Sequence, residues 1–355
     1  MRAITTMPPK GGVELSDIDL GSQVGIKVRT YRTGICGTDK EIVEGRLKFA
    51  RPESGNSLIL GHEAVGIVEE PDGSSDFKEG DIVVPMVRRP GSCRMCQLGR
   101  QDYCEDGDFV EAGIRGKNGF MRDEFTDYPR FLVRVGSRSV LDLAVLTEPL
   151  KNVMKMKEIF QFLRMRLPWY CEDSTLSCKN MYVFGTGTEG LLISSVFKSI
   201  GMNVVEVNRH PLGENVMDYL DYNKIDYLDT SNESLENKVK DVPMDAAIDA
   251  VGAMDVLKEI TDNIRNNGIA IMFGTSGQLP SSTYEVLENI VDRNIVVVGS
   301  VDGAKEHYAE AIRFIESHGA SLQMGRLITG TYKPEDLKVF TEKEKQEIKK
   351  VIAWS

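Results

Sequence analysis

The chain has 355 residues, of which 41% are hydrophobic and 27% charged, and its formal net charge is -11. This length favours two domains with separate cores, and the acidic balance argues against partners such as nucleic acid or an anionic membrane surface. No run of about 18 apolar residues could span a bilayer, and the N-terminus lacks the apolar segment of a signal peptide. We therefore expect a cytoplasmic enzyme.

Residues 1–150 predict a mostly-β domain. Glycine and proline are frequent there, and short alternating runs such as Gly25–Thr30 and Ala64–Glu69 are typical of antiparallel strands. From Thr147 to Met165 apolar residues recur at helical spacing, which predicts a helix that leaves this domain.

After residue 150 the pattern changes to alternating strands and helices. Lys179–Phe184 predicts a strand, followed by a glycine-rich turn and a helical run to Ile200. Such alternation predicts βαβ units around a doubly wound parallel sheet, an α/β fold. Further strands are predicted at Asn203–Val207, Ala246–Asp249, Ile269–Phe273 and Ile295–Val298, and further helices at Val256–Ile264 and Tyr284–Val291.

The end of the chain is predicted to return to the first domain. It contains a predicted helix at Lys305–Ser317 and a last strand at Lys350–Trp354. The expected domains are therefore 1–150, which carries metal and catalysis, 151–304, which binds a nucleotide, and the returning segment 305–355.

The glycine-rich turn predicts a dinucleotide site. Between a predicted strand and helix, Gly185 permits the tight turn, Gly187 lets the backbone approach a pyrophosphate, and Gly190 permits close helix–sheet packing. Thr188 and Glu189 lie in the same loop. The alternative, a turn that binds nothing, fits the strand–helix context less well.

The end of the next strand favours NADP over NAD. An acidic residue about 20 positions after the glycines would hold the ribose 2′-OH of NAD. This chain has Asn208, Arg209 and His210 instead. Arginine attracts a 2′-phosphate, and asparagine repels neither cofactor, so NAD stays possible. The alternative for Arg209 and His210 is an ordinary solvated loop.

Side chains that bind Zn²⁺ occur in three pieces of the first domain. A thiolate at Cys36, an imidazole at His62 and carboxylates at Glu63 and Glu148 can hold zinc while one position stays open for a substrate. Each also has a purely structural reading: a buried small side chain for the cysteine, a core histidine, and surface charges for the glutamates. Composition and spacing alone do not decide between these readings.

The linked motifs resemble the zinc-containing medium-chain dehydrogenases over nearly the whole chain, and more closely the archaeal glucose 1-dehydrogenases. This resemblance implies a Rossmann domain together with a mostly-β GroES-like catalytic domain. The motifs are GICGTDKEI (34–42), LGHEAVGIVEE (60–70), GRQDYCE (99–105), EAGI (111–114), GFMRDEF (119–125), TEPL (147–150), GTGTEG (185–190) and EIKKVIAW (347–354).

The resemblance implies a catalytic zinc on Cys36 and His62, with Glu63 and Glu148 completing the sphere directly or through water. Thr38 matches the hydroxyl that takes the substrate proton. Related alcohol dehydrogenases have a second cysteine at the position of Glu148, so the glutamate points to the polyol and sugar branch.

A second, structural zinc is implied at Cys93, Cys96 and Cys104. The family usually supplies four cysteines, and Pro90 stands at the spacing of the missing one. Tetrahedral zinc needs a fourth donor, for which Asp108 is the candidate, with Glu105 and Asp106 as alternatives. The opposing reading is a loop with three free thiols.

The function implied is oxidation of D-glucose, and of D-galactose, to the 1,5-lactone, with hydride transfer to NADP or NAD in sugar catabolism by a homotetramer. The alternatives are a zinc-dependent polyol, alcohol or threonine dehydrogenase, and a non-catalytic NADPH-binding redox sensor. By the same resemblance the substrate contacts Thr38, Glu63, Glu111, Glu148 and Asn152, and the cofactor also contacts Phe273, Thr275, Ser300, Val301 and Asp302.

Overall fold

The computed structural model describes residues 1–21, 23–274, 283–342 and 347–354. The chain divides into two compact units: the first unit is Met1–Lys151 with Asp302–Ser355, and the second unit is Asn152–Val301. No helix in the described ranges combines the length and the apolar composition that crossing a membrane requires.

Short strands dominate the chain as far as residue 135. This stretch contains the short helices α1 Gly37–Val43 and α2 Arg94–Gln97. The long helix α3 Thr147–Arg164 follows it, and the first unit ends within α3. The strands are β1 Arg2–Met7, β2 Gly11–Asp17, β3 Ile26–Ile35, β4 Leu58–Ile59, β5 Glu63–Glu70, β6 Ile82–Pro85, β7 Arg88–Arg89, β8 Val110–Ala112, β9 Gly116–Lys117, β10 Glu124–Asp127 and β11 Leu132–Val135.

The second unit alternates strands with helices. Its strands are β12 Asn180–Phe184, β13 Asn203–Asn208, β14 Asp226–Asp229, β15 Met244–Asp249, β16 Ile264–Met272 and β17 Val296–Gly299. Its helices after α3 are α4 Thr188–Ser199, α5 Glu214–Asn223, α6 Leu235–Asp241, α7 Met254–Asn263 and α8 Thr283–Asp292. The C-terminal segment adds α9 Lys305–His318, β18 Ile328–Tyr332 and β19 Lys349–Ala353.

The main sheet of the first unit has the strand order β11-β6-β5-β3-β19-β18, with β10 also paired to β3. Its inner strands pair antiparallel, and β19 pairs with β3 from Lys350 opposite Ile35 to Ala353 opposite Arg32. Buried side chains such as Val28, Val68 and Phe125 form one core under this sheet. The C-terminal segment therefore completes the sheet that carries β3 and β5.

The sheet of the second unit is parallel, with the order β14-β13-β12-β15-β16-β17. The chain builds this sheet outward from β12, first to one edge through β13 and β14 and then to the other through β15, β16 and β17. This is the strand order of a Rossmann sheet, in which ligands bind beyond the carboxyl end of the first strand. All five residues of β12 are buried, as expected for a strand covered on both faces.

Several elements of the second unit were not predicted from the sequence. The elements α5, β14 and α6 were not predicted because they are short and largely polar. The helix α5, for example, has ten residues and buries only Val216, Tyr219 and Leu220. The helix predicted to reach Ile264 ends at Asn263, because Ile264 begins β16. Residues 265–267 of that strand are exposed and polar, so the apolar pattern predicted only its second half.

Two of the six cysteines lie outside the predicted metal sites. In a long chain without a secretion signal we expect neighbouring cysteines to bind metal rather than form a disulfide, and for this pair that expectation is wrong. Cys171 and Cys178 form a disulfide in the loop between α3 and β12, and the Thr175 backbone carbonyl accepts a hydrogen bond from the Cys171 amide in the same loop. The two cysteines are seven positions apart, a spacing that allows either a disulfide or a shared metal ion. Only the fold of the loop decides between them.

Candidate metal centre and cofactor loop

The N-terminus of α1 positions Cys36. The residue follows β3 and caps α1, since its Sγ accepts the Thr38 amide proton at 3.2 Å. Asp39, three residues on, accepts the Cys36 backbone N–H at 3.0 Å. This reciprocal capping box fixes the thiol and places a buried carboxylate beside it.

His62 and Glu63 reach the same place from the start of β5. Cys36 Sγ lies 3.0 Å from His62 Nε2. The opposite residue on β3 is Gly34, where a Cβ would lie 1.9 Å from Glu63 Oε2. A side chain at position 34 would therefore force the Glu63 carboxylate to move from this place.

Asp39 faces the other ring nitrogen of His62. Its Oδ1 lies 3.5 Å from Nδ1, and both side chains are buried. Burial opposes the charge on the imidazole, but Cys36 and Asp39 raise the pKa of His62 well above its usual value. Burial also raises the pKa of the Cys36 thiol, which His62 partly offsets. His62 thus has a carboxylate beside Nδ1 and the Cys36 thiol beside Nε2. A carboxylate that holds one ring nitrogen is the usual neighbour of a histidine that binds metal through the other.

The two glutamates complete the cluster, and each has a lysine counter-ion. The ligand atoms of His62, Glu63 and Glu148 all lie within 4.8 Å of one another. Lys349 Nζ donates to both carboxylate oxygens of Glu63 at 2.7 Å, and Lys151 Nζ lies 3.2 Å from Glu148 Oε1. Burial raises the pKa of Glu63, and Lys349 pulls it back down.

A buried chain of alternating charges continues from Glu148. Lys151 also binds Asp302 Oδ1 at 2.5 Å, and the second oxygen of Asp302 lies 3.1 Å from Arg88 Nε. Arg88 Nη2 then meets Glu111 Oε1 at 2.9 Å. The carboxylates of Asp302 and Glu111 are thus engaged in ion pairs of the first unit, whereas the sequence predicted cofactor and sugar contacts for them.

The predicted structural-zinc loop brings three thiols together. The sulfur atoms of Cys93, Cys96 and Cys104 lie within 4.8 Å of one another, with 3.9 Å between Cys93 and Cys104. Amide N–H groups of Cys96 and Glu105 lower the pKa of Cys93 to about 7.

No carboxylate among the described residues joins these sulfur atoms within that distance. The exposed Asp108 is not brought into the group, nor are Glu105 and Asp106. The geometry supports a three-thiol site and leaves its fourth ligand unassigned.

The second unit forms the glycine loop between β12 and α4. Gly185 has a φ of 107°, and a Cβ on Gly190 would lie 1.7 Å from the Gly185 carbonyl oxygen. Gly187 caps α4 and leaves open space where a Cβ would be. Thr188 and Glu189 form the first turn of that helix. A phosphate can therefore approach the backbone at the helix N-terminus.

The loop after β13 is anchored by its backbone. The carbonyl of His210 accepts hydrogen bonds from Asn208 Nδ2 and from the Tyr227 hydroxyl, each at 2.9 Å. Arg209 is half exposed and pairs with Glu259 at 3.3 Å. Asn208, Arg209 and His210 thus stand together at the carboxyl end of β13, where the sequence placed the ribose contact.

The remaining predicted cofactor and substrate residues lie in several places. Asn152 on α3 donates to Glu189 Oε1 at 3.2 Å. Phe273 follows β16, and its backbone amide donates to the Asp249 carbonyl. Ser300 follows β17 and is buried, whereas Val301 is exposed. Thr275 lies outside the described residues.

Sequence reasoning missed several buried charges at these sites. Asp39 had a local signal, because it lies three residues after Cys36, the spacing of a capping box. Lys349 had none, since 286 residues separate it from Glu63. Lys151 lies one helical turn after Glu148, but nothing local shows that it is buried.

Comparison with known proteins identifies the family. The family described as Glucose dehydrogenase C-terminus matches residues 141–354, and the Alcohol dehydrogenase GroES-like domain matches residues 22–136. A glucose 1-dehydrogenase of Thermoplasma acidophilum is 40% identical, covering 99% of this chain and 99% of that protein. The chain belongs to the glucose dehydrogenase family. A second glucose 1-dehydrogenase, from Metallosphaera sedula, is also 40% identical, covering 100% of this chain and 99% of that protein.

Solved structures of glucose dehydrogenases share the fold. Haloferax mediterranei glucose dehydrogenase, solved with NADP, Zn and gluconolactone, aligns with a TM-score of 0.88 and 27% identity, covering 100% of this chain and 99% of that chain. The predicted α/β architecture with a GroES-like part is confirmed, as is the resemblance to zinc-containing medium-chain dehydrogenases. The chain is an enzyme of the oxidoreductase class, not a non-catalytic redox sensor.

Proposed function

We propose that this chain is a zinc-dependent glucose 1-dehydrogenase that oxidises D-glucose, and D-galactose, to the 1,5-lactone and passes the hydride to NADP or NAD. The observation that carries the proposal is the contact between Cys36 Sγ and His62 Nε2, with the buried Glu63 and Glu148 beside His62, in a chain of the glucose dehydrogenase family. The Haloferax relative, which holds NADP, Zn and gluconolactone, supports the choice of substrate and cofactors.

The donor set fits zinc. His62 belongs to two groups of possible ligands, one with Cys36 and Asp39 and the other with Glu63 and Glu148, and the ligand atoms of each group lie within 4.8 Å of one another. A mixture of soft and hard donors around one imidazole suits Zn²⁺. Cys36 and His62 are the proposed ligands, and Glu63 and Glu148 act directly or through water. When bound, zinc supplies Lewis acidity to the sugar hydroxyl and the nicotinamide accepts the hydride.

The chain's own residues hold the substrate and its proton. Thr38 stands at the start of α1, where its backbone amide donates to Cys36 Sγ, and its hydroxyl is the proposed proton acceptor. Glu111 and Asn152 are the proposed partners of the other sugar hydroxyls. Arg88 orients Glu111 through its ion pair, which supports a fixed acceptor at that position.

The cofactor is proposed to bind on the second unit. Gly185, Gly187 and Gly190 with Thr188 and Glu189 would receive the pyrophosphate, which the open backbone at the start of α4 supports. The ribose end would meet Asn208, Arg209 and His210. Phe273, Thr275, Ser300, Val301 and the backbone of Asp302 are proposed for the nicotinamide end.

A homotetramer and a cytoplasmic location belong to the same proposal. The free thiols at Cys93, Cys96 and Cys104 support a reducing compartment, and the Cys171–Cys178 disulfide is compatible with it because intracellular proteins of some thermophiles also carry disulfides. Light scattering on the purified enzyme measures the assembly; a monomeric mass would contradict the tetramer.

A substrate panel tests the function. Aldoses, polyols, ethanol and threonine are assayed with NADP and with NAD by absorbance of the reduced cofactor. Glucose should exceed ethanol in kcat/KM by roughly 100-fold or more, because a site built for hydroxyl groups rejects substrates that lack them. A preference for ethanol or threonine would contradict the proposal.

The variant Cys36→Ala is the matched control for that panel. It should lose turnover and zinc but still bind NADPH, measured by fluorescence, since the glycine loop belongs to the other unit. Turnover that survives in this variant would exclude Cys36 from catalysis.

A further inference from the structure

The guanidinium of Arg209 is shared with two carboxylates on α7. Its Nη2 lies 3.3 Å from Glu259 Oε1, and its Nη1 lies 4.0 Å from Asp255 Oδ2. Asp255 and Glu259 are four residues apart, so they lie on the same face of α7. Two like charges at this spacing repel each other, and Arg209 between them offsets that repulsion.

All three side chains are accessible to solvent. The side chains of Arg209, Asp255 and Glu259 are 46%, 70% and 40% exposed. Exposed ion pairs of this kind are weak and exchange readily, so a phosphate can recruit the guanidinium. Both carboxylates lie within 4.0 Å of the guanidinium, so an anion bound by Arg209 would be near them, and charges act on one another over about 8 Å at physiological salt.

The same loop offers a separate contact for an unphosphorylated ribose. Asn208 donates its Nδ2 to the His210 carbonyl, a bond that does not use the amide oxygen. An amide oxygen at the end of β13 can accept a hydrogen bond from a 2′-OH. The loop therefore contains a neutral acceptor for NAD beside a cation for NADP.

We propose that Asp255 and Glu259 set the cofactor preference of this enzyme. By neutralising Arg209 and repelling a 2′-phosphate, they weaken NADP binding and keep NAD usable. The inference rests on the proposed function only in taking the 2′-phosphate to bind at Arg209. It assigns the balance between the two cofactors to α7 as well as to the loop after β13.

Binding of cofactor fragments tests this assignment without turnover. Adenosine 2′,5′-bisphosphate and AMP are titrated calorimetrically into wild type, Glu259→Gln, Asp255→Asn and the double variant, at low and at high ionic strength. The double variant should bind the bisphosphate about 2- to 10-fold more tightly, with AMP unchanged, because only the bisphosphate carries the 2′ charge. High salt should shrink the gain, since it screens exposed charges.

Asp262→Asn is the matched control. Asp262 lies on the same helix but pairs with Lys258, so removing its charge should leave the affinity for both fragments unchanged. Arg209→Ala should weaken the binding of the bisphosphate roughly 10- to 100-fold and the binding of AMP far less.

Two results would overturn the inference. Unchanged bisphosphate binding in the double variant would show that the α7 carboxylates do not act on the phosphate. Weaker bisphosphate binding would show that they orient Arg209 for it instead. Neither result depends on glucose oxidation, so a failure of the substrate panel would leave this assignment standing.

Discussion

Glu206 shows how a single buried side chain can govern the pH response of the second unit. It lies on β13 with no solvent exposure, and Ser194 Oγ donates to its Oε1 at 2.6 Å. Its Oε2 has no hydrogen-bond partner among the described residues. Burial raises the pKa of Glu206 from 4.5 to about 8. The folded chain therefore holds this carboxyl protonated at neutral pH.

The variant Glu206→Gln should be more stable than the wild type at pH 8. This gain in the free energy of unfolding should be larger at pH 8 than at pH 5. Between pH 4.5 and 8 the unfolded chain has lost the proton that the folded chain retains, so the free energy of unfolding falls as pH rises through this window. Glutamine removes that dependence. Thermal unfolding at pH 5, 6.5 and 8 measures it, and a gain of roughly 1–3 kcal/mol at pH 8 is expected.

Glu236→Gln on α6 serves as the control, because the Glu236 side chain is exposed to solvent in the folded chain. Parallel pH curves for Glu206→Gln and wild type would show that Glu206 ionises as readily in the folded state as in the unfolded chain.

At the scale of elements, the short helix α2 and the turns around it gather the thiols of the predicted structural zinc. Cys93 precedes α2, Cys96 lies within it, and Cys104 follows the next helical turn. So few residues bury little apolar surface, and a loop of this kind usually depends on a metal for its structure.

The variant Cys96→Ser should therefore lower zinc content and Tm while leaving KM for glucose within about twofold. Loss of one ligand from a closed tetrahedral site removes folding energy rather than a catalytic group. Metal analysis and thermal unfolding provide the measurement. Asp108→Ala, assayed alongside, tests the fourth ligand; unchanged zinc content would exclude Asp108.

Cys171→Ser is the matched control for Cys96→Ser. It removes a disulfide cysteine, so it should lower Tm without any loss of zinc. Zinc content of one ion per chain in the wild type would argue against a metal in the three-thiol loop.

At the scale of the whole molecule, buried ion pairs tie the C-terminal segment into the first unit. Asp302 begins that segment and meets Lys151 on α3 and Arg88 on β7. Lys349, near its end, meets Glu63 on β5. Together, Asp302 and Glu148 hold the pKa of Lys151 above its usual value despite burial, so the ammonium stays charged.

The variant Lys151→Met should destabilise the enzyme by about 3–5 kcal/mol, because it removes the lysine partner of the buried Glu148 and leaves Asp302 with Arg88 alone. Denaturant unfolding measures the loss. In the double variant Lys151→Met/Asp302→Asn, the total loss should be smaller than the sum of the single losses, since both partners are removed. Additive losses would show that the two charges do not interact, and Lys333→Met, an exposed lysine, is the neutral reference.

The sequence by itself determined the features that local patterns encode. Gly185, Gly187 and Gly190 lie where a strand meets a helix, and sequence motifs marked the four proposed zinc ligands, Cys36, His62, Glu63 and Glu148. Strand and helix types followed from periodicity wherever apolar residues were regular, as in α3 and β12. Polar elements such as α5 and β14 lacked that regularity and were missed.

Only the tertiary structure decided which distant residues meet. It placed Lys349 on Glu63 across 286 positions, joined Asp302 to Lys151, and paired Arg209 with Glu259 on another element. It also made a disulfide of two cysteines whose spacing fitted metal as well. Such contacts depend on strand order and on how elements pack. The reason is physical: a charge buried by folding has no signature in its neighbours along the chain, because its partner is brought to it only when the sheets assemble.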